Sequence, residues 1–237
     1  MERLDAALGL GLKADGLHEV HAPTPGDLAS ALGLALLLGQ RASGQWPVVW
    51  IRSERRSRGA ALPYGPGLAA LGVEPAALIL LALPEAKAAL RAALDVARDG
   101  AAGTVLLELA GRQPLLDLTA SRRLALAAAD TGTLVLVVRS AAEPVASAAH
   151  TRWQVAAAAS CPLEANAPGL PAFALTLLRQ RGGRDGISMI VEWNRDTASF
   201  RERDEATSVS VPAAPLPRPV PAVAAGGADR ADQRNAA

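Results

Sequence analysis

The sequence predicts an α/β fold, a doubly wound, mostly parallel sheet with helices on both faces and a C-terminal antiparallel extension. Three observations carry this expectation. Five short apolar runs, at residues 17–21, 47–51, 77–83, 104–109 and 133–139, recur at spacings that leave room for helices between them. The intervening segments carry helix caps and helical apolar spacing. Past Pro144 the rhythm changes to strands joined by turns, at 150–157, 173–181 and 187–193, with Gly182-Gly183-Arg184-Asp185-Gly186 as a hairpin loop.

Each element follows from local chemistry. Residues 1–16 form a short lead-in, and 17–21 the first strand. Pro23, Pro25 and Gly26 make the corner into an apolar helix, with Asp27 expected to cap it and leucines on every side of 27–39, as in a fully buried helix. Residues 47–51 (PVVWI) form a continuous apolar run that fits a central parallel strand, and 77–83 (ALILLAL) are expected to be another buried one. A helix opens at Pro84 and closes at Gly100, and the next starts at Asp117 and ends near Gly132. From about Asn194 the apolar pattern stops, and Pro212, Pro215, Pro217, Pro219 and Pro221 follow closely. The domain expectation is therefore a lead-in at 1–16, a core at 17–193 and a mostly disordered Pro/Ala-rich tail at 194–237.

Composition narrows the function classes. The chain has 237 residues, 50% hydrophobic and 20% charged, and its formal net charge of +1 argues against a dedicated high-affinity nucleic-acid binder. A single cysteine, Cys161, excludes an internal disulfide and a multi-cysteine metal site. The start of the sequence lacks a secretory pattern, and its apolar runs are shorter than the about 20 residues needed to span a bilayer. A cytoplasmic protein without membrane contact is expected.

The first strand-to-helix corner is where a phosphate-binding loop would sit. Such a loop ends in Gly-Lys-Ser/Thr, so that backbone N–H groups and one lysine hold a polyphosphate. Here the corner reads Ala22-Pro23-Thr24-Pro25-Gly26-Asp27-Leu28: Asp27 stands at the lysine position and Leu28 at the hydroxyl position. An anion-repelling carboxylate has replaced the cation, and the Mg²⁺-binding hydroxyl is lost. Glu108 remains as a carboxylate at a strand end, and Arg139 as a cation at another. Phosphoryl transfer needs several parts acting together, so no catalytic residue, cofactor or metal is expected. His18 and His21 flank Glu19 without a third ligand in view and read as structural. Trp46, Trp50, Trp153 and Trp193 at strand ends read as core-finishing rings. Arginine clusters remain as candidate contacts to a partner or to DNA phosphate: Arg55, Arg56 and Arg58 with Arg52 in one loop, Arg122 and Arg123 opening a helix, and Arg179, Arg181 and Arg184 along a hairpin. Arg122 and Arg123 oppose the helix dipole, so Asp117 is expected to partner them.

This order of elements resembles the RecA core. Residues 48–54 (VVWIRSE), Tyr64 and Leu71-Gly72-Val73 look like the RecA segment between its second and third strands; Glu108 falls at the Mg²⁺-associated carboxylate and Arg139-Ser140 at the γ-phosphate sensor. Within that group the chain resembles the ImuA family, the accessory proteins of the bacterial SOS mutagenesis cassette that also encodes ImuB and an error-prone polymerase. The resemblance is carried by Gly16-Leu17-His18-Glu19-Val20, Tyr64-Gly65-Pro66-Gly67-Leu68, Leu71-Gly72-Val73, residues 116–124 (LDLTASRRL), Thr151-Arg152-Trp153 and the stretch from Arg179 to Trp193. It implies a non-catalytic adaptor in translesion synthesis, partnered by an ImuB-like Y-family polymerase homologue and an error-prone polymerase complex, with RecA as a further candidate. DNA contact, direct or through the partner, stays open. The alternatives are a SulA-like cell-division inhibitor that binds FtsZ and an atypical RecA-like ATPase. With 16 residues before the first strand and ten between the fifth strand and His150, long filaments on DNA are not expected.

Overall fold

The computed structural model describes residues 12–53, 62–183 and 185–203. Its strands are β1 Leu17–Ala22, β2 Val48–Ser53, β3 Leu78–Leu83, β4 Thr104–Ala110, β5 Leu134–Ser140, β6 Thr151–Ala158, β7 Ala172–Gln180, β8 Ile187–Asn194 and β9 Ser199–Glu202. They form one sheet in the order β3-β2-β4-β5-β1-β6-β7-β8-β9. Neighbours run parallel from β3 through β6 and antiparallel from β6 through β9. The α-helices are α1 Leu28–Ser43, α2 Gly65–Ala70, α3 Ala86–Asp99 and α4 Leu118–Thr131. The expected α/β class, with helices on both faces and an antiparallel extension, is the observed one.

Side-chain alternation along the strands divides the core in two. Val20, Trp50, Leu106, Leu136 and Val138 face α1, whereas Leu17, Ile51, Leu107, Val135 and Val137 face α3 and α4. The middle turn of α1, Leu34 to Leu37, is buried on every side, because the antiparallel strands wrap over it and add Met189, Val191, Trp193 and Phe200 to the same cluster. Hydrogen bonds hold that wrap in place: Gln40 Nε2 donates to the Gly72 carbonyl at 2.8 Å and Trp193 Nε1 to the Leu71 carbonyl at 2.7 Å. On the other face, α3 and α4 present mainly alanines, and this lets them approach closely. On the α1 side, the loop before β4 meets the end of α1 at Gly103, where a Cβ would sit 2.5 Å from Ser43 Cα.

Four expectations need correction. β3 is not a buried central strand: sheet order puts it at the edge, with Ile79 51% exposed, although its composition is that of a covered strand. The sheet continues past the boundary expected at residue 193, because Asn194 turns the chain into β9 through bonds from the Asp196 and Thr197 amides. Trp46 is exposed, whereas Trp50, Trp153 and Trp193 are buried as expected. The seventh and eighth strands pair antiparallel as read, but β6 is itself parallel to β1. Residues 204–237 of the expected tail, and 1–11 of the lead-in, lie outside the described residues. Among the described residues no helix is long and apolar enough to cross a membrane.

Candidate functional site

In a sheet of this kind the carboxyl ends of the parallel strands are the customary place for ligand chemistry. Here that end begins at the corner after β1. Pro25–Asp27 forms a single 3₁₀ turn leading into α1. Asp27 does not cap α1, contrary to expectation: its backbone is helical (φ −86°, ψ −6°) and its carboxylate makes no bond to the helix N-terminus. Instead, one carboxylate oxygen accepts from Thr24 Oγ1 at 2.5 Å and the other from the Ala157 amide of β6 at 2.9 Å. These bonds from Thr24 and Ala157 hold the carboxyl below its ordinary pKa. The corner thus carries its own fixed anion, tied across to a neighbouring strand.

Two strands along the sheet, on the α1 face, Glu108 on β4 lies buried opposite Arg52 of β2, its register partner. Trp50 Nε1 donates to Glu108 Oε2 at 3.0 Å, and Arg52 Nη2 stands 3.6 Å from Oε1. Burial raises the Glu108 pKa, and the charge of Arg52 and the indole bond oppose the rise. Oε2 thus accepts a hydrogen bond, and Oε1 has an electrostatic contact with Arg52 beyond hydrogen-bond length. Arg139, which the RecA resemblance places at the γ-phosphate-sensor position, points to the opposite face and is only 2% exposed.

Arg139 belongs to a second buried charge cluster that sequence reasoning missed. Glu19 of β1 accepts a 2.6 Å bond from Arg152 Nε of β6, and Arg152 also reaches Ser147 Oγ at 3.1 Å and the Val145 carbonyl. Burial would raise the Glu19 pKa, but the His21 ring at 3.6 Å, an electrostatic contact beyond hydrogen-bond length, and the Arg152 guanidinium pull it down to about 2. Arg139 Nη2 reaches only the Gly111 carbonyl at 3.4 Å, and its Nε has no partner. Burial lowers its pKa, against the pull of Glu19. A charged residue in the middle of an apolar strand was the available signal, since burying it requires a partner on an adjacent strand.

The arginine clusters separate in space. Arg122, Arg179 and Arg181 converge on one cleft beside α4, whereas Arg123 faces a smaller groove between α3 and α4, with Leu90, Arg91 and Leu94. Asp117 does not partner Arg122 or Arg123; it caps α4 by accepting from the Ala120 amide at 2.7 Å. Arg55, Arg56, Arg58 and Arg184 lie outside the described residues. His18 is structural, bonded at both ring nitrogens, and no group of three metal-ligating side chains occurs among the described residues.

No family model and no curated protein matches this chain. Among solved structures it is similar to the crystal structure of the RadB recombinase, with a TM-score of 0.54 and 14% identity over 85% of this chain and 96% of that one. At that identity the likeness is one of fold: the chain has a RecA-like α/β core.

Proposed function

We propose that the chain is a non-catalytic RecA-like adaptor of DNA-damage-induced mutagenesis. Its partners are an ImuB-like Y-family polymerase homologue and an error-prone polymerase complex. The observation that carries the non-catalytic half of this reading is the engagement of Glu108. A carboxylate that holds Mg²⁺ or orients water must present an accessible oxygen to it, and Glu108 is buried, with one oxygen accepting from the Trp50 indole and the other facing the Arg52 cation. Asp27 supports the same reading: a fixed carboxylate at the corner repels a polyphosphate that a lysine would attract.

The adaptor half rests on the ordered segments between residues 16 and 193 that resemble the ImuA family, together with the RecA-like core. Affinity capture of the tagged chain from cells treated with a DNA-damaging agent tests it. Recovery of an ImuB-like protein is expected. Recovery of FtsZ without polymerase components would replace the adaptor with a cell-division inhibitor.

A further inference from the structure

The cleft beside α4 has a composition that the strand-end chemistry leaves unused. Its volume is about 450 Å³. Leu118 and Leu126, 55% and 57% exposed, form an apolar floor with Ala125 and Ala129 from the same helix. Lys13, Arg122, Arg179 and Arg181 stand around it, from the lead-in, α4 and the end of β7. Asp15 is the one acidic side chain in the lining and lies 3.5 Å from Lys13. Neither Arg122 nor Arg181 has a carboxylate within ion-pair distance among the described residues. Among the described residues these cations, gathered around exposed leucines, have no acidic complement beyond Asp15.

The walls are fixed before any ligand arrives. The Ala148 amide donates to Ser121 Oγ at 3.0 Å, binding the β5–β6 connection to α4. Arg179 Nη1 donates to the Ser147 carbonyl at 3.3 Å. The Arg181 amide donates to the His150 carbonyl at 2.8 Å, and the His150 amide to the Leu17 carbonyl at 2.7 Å. A preformed site loses little ordering entropy on binding.

We infer that this cleft docks a short acidic protein segment, in which an apolar side chain sits on Leu118 and Leu126 while flanking carboxylates pair with Arg122, Arg179 and Arg181. Guanidinium forks match carboxylates bidentately, and an apolar anchor supplies the desolvated centre that hot spots need. Nucleic acid fits less well: no Phe, Tyr or Trp lines the cleft for base stacking, and a leucine floor has nothing to contact along a phosphate backbone. The inference deepens the adaptor reading by giving the chemistry of a partner segment, and its test needs no cassette protein.

The experiment is selection of displayed random peptides on the full chain alone, followed by measurement of each selected peptide on the Arg122→Glu/Arg181→Glu variant, both changes lying on exposed side chains. Selected peptides should carry Asp or Glu beside Leu or Phe. As fluorescent probes they should lose about tenfold or more in affinity for that variant. A Leu126→Ser variant should weaken them as well, while Lys87→Glu/Arg112→Glu, the same charge change elsewhere, should not. Thermal melts confirm that each variant is folded. Selection of peptides without acidic residues, or equal binding to the wild type and the double variant, would overturn the inference. So would a labelled single-stranded oligonucleotide that binds the wild type more tightly than any selected peptide and loses affinity in the double variant. A positive selection alongside a failed capture from damaged cells would leave the cleft standing and remove the adaptor assignment; the reverse would do the opposite.

Discussion

His18 makes the stability of this fold sensitive to mild acid. Its ring is fully buried on β1, with Nε2 2.8 Å from the Lys13 carbonyl and Nδ1 2.7 Å from Thr151 Oγ1. A carbonyl only accepts, so Nε2 carries the proton and Nδ1 accepts from the threonine hydroxyl. Trp153 Nε1, a donor only, bonds the same hydroxyl oxygen at 2.6 Å and fixes that orientation. Protonating Nδ1 would strand the threonine hydrogen and bury a charge. Burial is the main force that lowers the pKa from 6.5 to about 4, with nearby His150 and Lys13 adding to it and the Lys13 carbonyl opposing. Between those two values the unfolded chain binds a proton on His18 that the folded chain excludes. Stability therefore falls as pH is lowered through this window, by about 1.4 kcal/mol per pH unit and about 3 kcal/mol in all. Urea unfolding at a series of pH values from about 7.5 to about 4 measures this linkage. The His18→Gln variant keeps a donor and an acceptor but does not titrate. It should cost about 1 kcal/mol at neutral pH and give a flatter curve. His150, which burial shifts in the same direction, is present in both proteins, so its own burial cancels in the difference and only its smaller coupling to His18 remains. Parallel wild-type and variant curves across the window would refute the reasoning.

Three further outcomes follow from the same contacts. Glu19→Gln removes the counter-charge of buried Arg152 and should destabilise by about 3–5 kcal/mol in urea unfolding; because the Glu19 pKa is held down at about 2, its contribution in the wild type should fade only as pH drops below about 4.5. Asp27→Lys loses the bonds to Thr24 and Ala157, and should lower the melting temperature while giving no ATP turnover in a phosphate-release assay. Gly103→Ala places a Cβ against the backbone of Ser43 and should cost about 1–3 kcal/mol, read as a shift in urea midpoint.

The sheet was legible because buried parallel strands leave a strong mark: continuous apolar runs spaced by helices. Strand position within the sheet left no such mark. β3 has the composition of a central strand and sits at the edge, since order is set by crossovers between distant segments and not by any one run. The sites were harder for the same reason. Glu19 and Arg152 are 133 residues apart and meet only because β6 lies beside β1. Asp27 has the residue type of a helix cap, yet its carboxylate finds the amide of Ala157 across the corner, a competitor that local spacing does not reveal. Arg122, Arg179 and Arg181 were visible as separate clusters; that they share one cleft with Lys13 and two exposed leucines depends on tertiary packing.

Whether the chain holds a nucleotide separates a non-catalytic adaptor from an ATPase most directly. On the proposed non-catalytic reading, equilibrium binding of labelled ATP with Mg²⁺ to the full chain should show no saturable component, since the Asp27 carboxylate repels a polyphosphate and Glu108 is buried against Trp50 and Arg52. Micromolar affinity that disappears in Glu108→Ala would contradict the non-catalytic adaptor and return the chain to the RecA-like ATPases.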